Sequence, residues 1–118
     1  MYKTHHVRDP NLLYTTKASA SKGVITIQSY INVEDGSLYY AIALCNPKDE
    51  FNKKIGSKLA KERLSNPGQY TRKLDISINP KNNSKLINQY IYLDILLNIQ
   101  CPNWAKYIIE QQLLVDNY

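Results

Sequence analysis

Ile25-Thr-Ile-Gln-Ser-Tyr-Ile-Asn-Val33, then Glu34-Asp-Gly36, then Ser37-Leu-Tyr-Tyr-Ala-Ile-Ala-Leu-Cys45 is the stretch that decides the fold. Ile25, Ile27, Ile31 and Val33 alternate with Thr26, Gln28, Tyr30 and Asn32. That period of two places one face of a strand in a core. Glu34-Asp35-Gly36 predicts a hairpin turn, with Gly36 able to take positive φ. On the returning strand, Leu38, Tyr40, Ile42 and Leu44 form one face and Tyr39, Ala41, Ala43 and Cys45 the other. Both faces are apolar enough to predict a central strand covered on both sides.

Outward from the hairpin, Asn46-Pro47-Lys48-Asp49 reads as a helix start. Asn46 suits the N-cap, Pro47 the first helical position, and Asp49 favours the helix dipole. The helix is predicted to run to Leu64 and stop at Asn66-Pro67-Gly68. Phe51, Ile55 and Leu59 fall on its inner face beside Gly56 and Ala60, and Lys53, Lys54, Lys58 and Lys61 fan over the outer arc. Leu74, Ile76 and Ile78, alternating with Asp75 and Ser77, predict a third strand. Ser84 caps a helix to Gln100 that is apolar nearly all round, hence central or at an interface. Pro102 breaks it, and Trp104–Val115 forms a last helix with Trp104, Ile108 and Val115 inward. The order β-β-α-β-α-α predicts an α+β fold, a small antiparallel sheet packed with helices. Residues 1–22 carry no clear period and read as irregular or partly strand.

A chain of 118 residues is expected to be a single domain, 1–118, with core enough to fold without disulfide or metal. Its 43% hydrophobic and 21% charged residues exclude a disordered tail, a collagen-like repeat and a coiled-coil rod. The net charge of +5 favours anionic partners. Yet 13 Ile, 12 Asn, 12 Lys and 10 Tyr against 3 Arg is a low-GC composition, which supplies lysine whatever the function. Cys45 and Cys101 make no disulfide framework and read as reduced core residues. Met1 to Pro10 has no apolar core of a signal peptide, and the longest apolar stretch, Leu86–Ile99, contains Asn88, Gln89, Asp94 and Asn98. The expectation is a cytoplasmic protein with no membrane partner.

Catalytic motifs are missing. His5-His6 has no matching metal-ligand spacing and reads as a solvated terminus. No nucleophile elbow, zinc-protease helix, P-loop or dinucleotide fingerprint occurs. Cys45 could be activated by a helix N-terminus, but such a cysteine is more often simply the last residue of a buried strand. The chain therefore reads as a non-enzyme without cofactor. A strand feeding a helix start leaves free N–H groups that can hold a phosphate. Lys48, Lys54, Lys58 and Arg63 add positive charge there. Gly56 within a helix costs about 1 kcal/mol against alanine, so a backbone or a ligand should approach it closely. The plain alternative is a capped amphipathic helix with solvated lysines and Gly56 at a tight helix–sheet contact.

The run Cys-x-Pro-Lys-Asp-x-Phe-x-Lys-Lys-x-Gly-x-x-x-Ala-x-x-Arg-Leu, within Leu44–Leu64, resembles small phage proteins, most closely the first type of phage anti-Thoeris signal sponge. The resemblance implies a homo-oligomer, dimer or trimer of dimers, that binds and sequesters a cyclic ADP-ribose isomer without turnover. Some members also bind cyclic oligonucleotides at a separate site. Asn46, Lys48, Asp49, Phe51, Lys54, Gly56 and Arg63 fall on the motif. Lys53 and Ser57 stand where arginine is expected at one or both, replacing a guanidinium fork with at most a point charge.

Such a ligand needs cations, aromatic faces and an amide. Arg63, Arg72, Lys48, Lys54 and Lys58 are the candidate cations; an arginine retained in a lysine-rich chain suits bidentate phosphate contact. Phe51, Tyr70 and Trp104 are candidate stacking surfaces, each with core packing as its alternative. Asn46 is the candidate reader of a base edge. The second functional reading is a small basic phage accessory protein that binds nucleic acid or inhibits a host protein.

Overall fold

The computed structural model describes residues 2–10, 23–32, 34, 36–74 and 84–116. Within them the order is β1 (Tyr2–Val7), β2 (Val24–Ile31), β3 (Leu38–Cys45), α1 (Lys53–Ser65), β4 (Thr71–Leu74), α2 (Ser84–Asn98) and α3 (Asn103–Asp116). The four strands form one antiparallel sheet in the order β1-β2-β3-β4. The fold is α+β, as predicted, with an additional first strand: β-β-β-α-β-α-α.

The hairpin forms as its alternation requires. Ile25 pairs with Leu44, Ile27 with Ile42 and Ile31 with Leu38. The turn closes through Asn32 N–H to Ser37 O (3.0 Å) and Gly36 N–H to Asn32 O (2.8 Å), with Gly36 at φ 75°. Because side chains alternate across a strand, register alone sorts the sheet into two faces. Ile25, Ile27, Ile31, Leu38, Tyr40 and Ile42 enter a core with Ile91, Ile95, Ile99, Ala105, Ile108 and Ile109 of the α2–α3 pair and its connection. The opposite face carries α1. β3 is thus central and covered on both sides, as its sequence predicts.

The N-terminal segment, expected to be irregular or partly strand, supplies β1, which pairs along all of Tyr2–Val7 with Ile25–Tyr30. The fourth strand lies at Thr71–Leu74, with Leu74 opposite Leu38 and Arg72 opposite Tyr40; Ile76 and Ile78 lie outside the described residues. α1 begins at Lys53, not Pro47. Asn52 is the N-cap, its Oδ1 accepting from the N–H groups of Lys54 (2.9 Å) and Ile55 (3.2 Å). Asn46 instead builds a separate turn, its Oδ1 accepting from Lys48 N–H (3.0 Å) and its carbonyl from Asp49 N–H (2.9 Å). α1 turns Gly56 and Ala60 to the sheet: Ala60 is fully buried, while Ile55, expected inward, is 66% exposed. Val115, expected inside, is 47% exposed; Ala105, Ile108 and Ile109 form the inner stripe of α3.

Gly56 has a structural explanation. A Cβ there would lie 2.7 Å from Thr26 Oγ1, which is buried in β2. The absent side chain lets α1 rest on the small residues of the sheet, offsetting the helix cost of glycine.

One polar cluster is built into the apolar side. Asp94 of α2 is only 8% exposed, and its carboxylate accepts from Tyr40 Oη (2.5 Å), Arg72 Nε (2.9 Å) and Nη2 (3.1 Å), and Asn98 Nδ2 (2.7 Å). Burial alone would raise the Asp94 pKa, but the Arg72, Tyr40 and Asn98 hydrogen bonds hold it below the ordinary carboxylate range.

His5 is not a solvated terminus. It lies on the core face of β1, its ring edge-on to Tyr92, with Nε2 3.3 Å from Tyr92 Oη and Nδ1 buried without a partner. Burial, then Lys3 and His6, push its pKa down to about 4. The unfolded chain therefore binds a proton below about pH 6.5 that the folded chain refuses until about pH 4. Stability should fall by up to about 3 kcal/mol as pH drops through that window. Urea titrations should show this loss in the wild type and a much smaller one in His5→Phe.

Candidate functional site

The sheet face under α1 is the chemically distinctive one. β1, β2, β3 and β4 place Tyr2, Tyr30, Tyr39 and Lys73 in one cross-strand row. The Tyr2 and Tyr30 ring centroids are 4.6 Å apart and those of Tyr30 and Tyr39 6.2 Å, with tilted planes. Lys73 Nζ lies 5.5 Å from the Tyr39 ring centroid, within cation–π range. The C-terminal half of α1 stands over this row. Lys61, Leu64 and Ser65 wall a cleft of ≈ 580 Å³ whose other side is Tyr2, Tyr30, Tyr39, Gln28 and Asn32. Its volume falls in the range of small-ligand sites. Tyrosine rings, the Lys61 ammonium group and two amides line it, with Lys73 beside Tyr39 at the end of the row, a set that suits an aromatic, anionic ligand.

The row follows from strand register, and the cleft opens on the β1–β2 side of α1, while Arg63 keeps the helix tied to β3 and β4. Deeper in, Ala41 and Ala43 of β3 leave room for the helix, and Gly56 touches Thr26. Further toward the hairpin the sheet carries large tyrosines instead, and the cleft lies between them and α1. Thr4 donates to Gln28 Oε1 beneath the row, tying β1 to β2.

The residues singled out from sequence are dispersed. Asn46 and Lys48 form the exposed turn before α1. Phe51 is half-buried, edge-on to His6 at 5.3 Å with the Arg8 guanidinium 5.1 Å from its ring centroid. It pins the start of α1 to the end of β1. Because Asn52 takes two first-turn N–H groups, the helix start offers less of a phosphate cradle than the sequence implied. Lys54 and Lys58 are exposed on the outer face of α1, in an open groove with Lys53, Ser57 and Lys61. Trp104 lies on the far side of the sheet core, packed on Gly23, where a Cβ would meet the indole at 2.5 Å.

Both candidate arginines are engaged inside the fold. Arg63 Nη1 donates to the Ile42 carbonyl (2.8 Å), its guanidinium covers Tyr70 at 4.5 Å, and its own carbonyl accepts from Thr71 Oγ1 (2.5 Å). Tyr70 is accordingly packed under Arg63 and against the core. Arg72 makes the two-pronged pair with Asp94.

Sequence reasoning missed Tyr2, Tyr30, Tyr39, Lys61 and Lys73 as site residues. A usable signal was present for two of them: a hairpin that pairs Ile31 with Leu38 must also pair Tyr30 with Tyr39 on the side away from the core. Tyr2 and Lys73 needed β1 and the true start of β4.

Cys45 has its Sγ 3.8 Å from the Asn46 and Asp49 carbonyls, and burial and Asp49 push its thiol pKa up, opposite to an activated nucleophile. Among the described residues no group of His, Cys, Asp or Glu could hold a metal ion, and no helix is long and apolar enough to cross a membrane.

Removing the Arg72 side chain leaves the Asp94 carboxylate buried and short of its cation. Arg72 is itself 37% exposed, so the cost should be about 2–3 kcal/mol, below that of a fully buried pair. Thermal or urea unfolding of Arg72→Ala should show it, and adding Asp94→Asn should recover part of the loss, a non-additivity diagnostic of the pair. No known family model, curated protein or solved structure matches the chain.

Proposed function

We propose that this protein binds a nucleotide-type ligand in the tyrosine cleft and holds it without turnover, as a signal sponge does. The observation that carries the reading is the Tyr2–Tyr30–Tyr39 row in one cleft with Lys61, with Lys73 beside the Tyr39 ring. Tyrosine faces accept a base by stacking, and ammonium groups beside them accept its phosphates. The resemblance over Leu44–Leu64 favours a cyclic ADP-ribose isomer or a cyclic oligonucleotide as the ligand. It does not favour Arg63 and Arg72 as the main phosphate contacts, because both already bond within the fold.

The exposed stripe on α2 supports a homo-oligomer. Leu86, Tyr90, Leu93 and Leu97 recur at spacings of four and three along one side of the helix, and Leu97 is 79% exposed. Such a stripe suits the packing of two like helices. Light scattering should report an oligomer for the wild type and a monomer for the Leu93→Glu/Leu97→Glu variant.

Thermal-shift and calorimetric titration with cyclic ADP-ribose isomers and cyclic oligonucleotides tests the ligand class, since a ligand that binds the folded state raises Tm by mass action. Tyr39→Ala should weaken the bound ligand about tenfold, the loss of one stacking surface. The ligand recovered from heat-denatured protein should be chemically unchanged. No stabilisation by either class, or recovery of a hydrolysed product, would overturn the reading.

A further inference from the structure

We infer that the cleft takes linear single-stranded nucleic acid, with bases on the tyrosine row and phosphates running along the outer face of α1. This rests on the reading of the cleft as a nucleotide site and extends it to a ligand class. The tyrosine row is longer than one base needs: three rings lie side by side across three strands. Aromatic side chains on the face of a four-stranded sheet are a general means of stacking two or three successive bases.

The cleft borders a second depression. Lys61 and Ser65 line both it and the ≈ 600 Å³ groove on the outer side of α1, which Lys53, Lys54 and Lys58 also line together with Glu62, so the two adjoin at these side chains. Lys54, Lys58 and Lys61 stand four and three residues apart, on one side of the helix, and Lys54 is about 10 Å along the axis from Lys61. Among the described residues none of these three has a carboxylate within ion-pair distance. A mononucleotide in the cleft meets Lys61 and leaves Lys54 and Lys58 unused. A chain of nucleotides that leaves the cleft past Lys61 meets them in turn. Duplex is excluded from this path, because its bases are stacked inside and cannot lie on the row.

The test is fluorescence-anisotropy titration with oligothymidylates from the mononucleotide to the octamer, and with the duplex octamer. Affinity should rise at least about tenfold with length, and log affinity of the octamer should fall with log salt at a slope of about −2, roughly 0.7 for each of three phosphates neutralised. Lys54→Gln/Lys58→Gln, both exposed positions, should remove most of the gain with length and leave the mononucleotide unaffected. Tyr39→Ala should weaken every length about tenfold. Affinity independent of length, or duplex bound as tightly as single strand, would overturn the inference while leaving mononucleotide binding in the cleft intact. Failure of both the mononucleotide and the octamer to bind would overturn the reading of the cleft itself.

Discussion

The Asp94 carboxylate is the constraint on which the rest of the structure depends. A charge taken out of water is costly unless every lone pair finds a donor. Here the donors come from Tyr40 on β3, Arg72 on β4 and Asn98 one turn further along α2. The arrangement therefore fixes three elements at once. It sets the rotation of α2, because Asp94 must face the sheet. With Asp94, Ile91 and Ile95 turned inward, Leu86, Tyr90, Leu93 and Leu97 are forced outward. It also orients β4, since Arg72 must point to the helix pair, and alternation then delivers Lys73 to the opposite face beside Tyr39. A buried ion pair on one side of the sheet thus positions a cation on the other.

The two faces of the sheet divide the work. One is filled with isoleucine and packed by two helices, with the Asp94 cluster and the His5–Tyr92 pair as polar groups set into it. The other is Thr26, Gln28, Ala41 and Ala43 in its middle and tyrosine at its hairpin end. A single helix covers such a face only where the side chains beneath it are small. Gly56 and Ala60 on α1 meet that small region, and the cleft opens where tyrosine replaces alanine. The site is a consequence of side-chain volume along two adjacent strands.

Much of the fold was legible in the sequence, for physical reasons. Ile25, Ile27, Ile42 and Leu44 alternate because one sheet face is buried, and long apolar helices at Ser84–Asn98 and Asn103–Asp116 have few alternatives. β1 was only partly legible because it is an edge strand: Lys3, Thr4 and His5 of Tyr2–Val7 break any apolar period, and pairing with β2 holds it in place instead. The start of α1 was misplaced because Asn46-Pro47 and Asn52 are both acceptable caps. Local propensity cannot choose between them; Phe51 packing on His6 and Arg8 keeps the intervening residues out of the helix. The candidate site was less legible than the fold. A site assembled from Tyr2, Tyr30, Tyr39 and Lys73 draws one residue from each of four strands and has no contiguous motif.

The arginines show why composition was a poor guide to the site. A guanidinium that persists among many lysines is one whose planar, multi-donor geometry is needed. That need does not distinguish a bound phosphate from the protein's own acceptors. In this fold Arg72 spends its fork on the Asp94 carboxylate, and Arg63 joins the Ile42 carbonyl to the Tyr70 ring. Both are required by the architecture, so their presence carries little information about a ligand. The lysines of α1 differ in this respect. Lys54, Lys58 and Lys61 are exposed, unpaired among the described residues, and contribute nothing to packing. The positive field felt by an approaching anion comes from charges that the fold has not neutralised, and on α1 these are the side chains that the fold least requires.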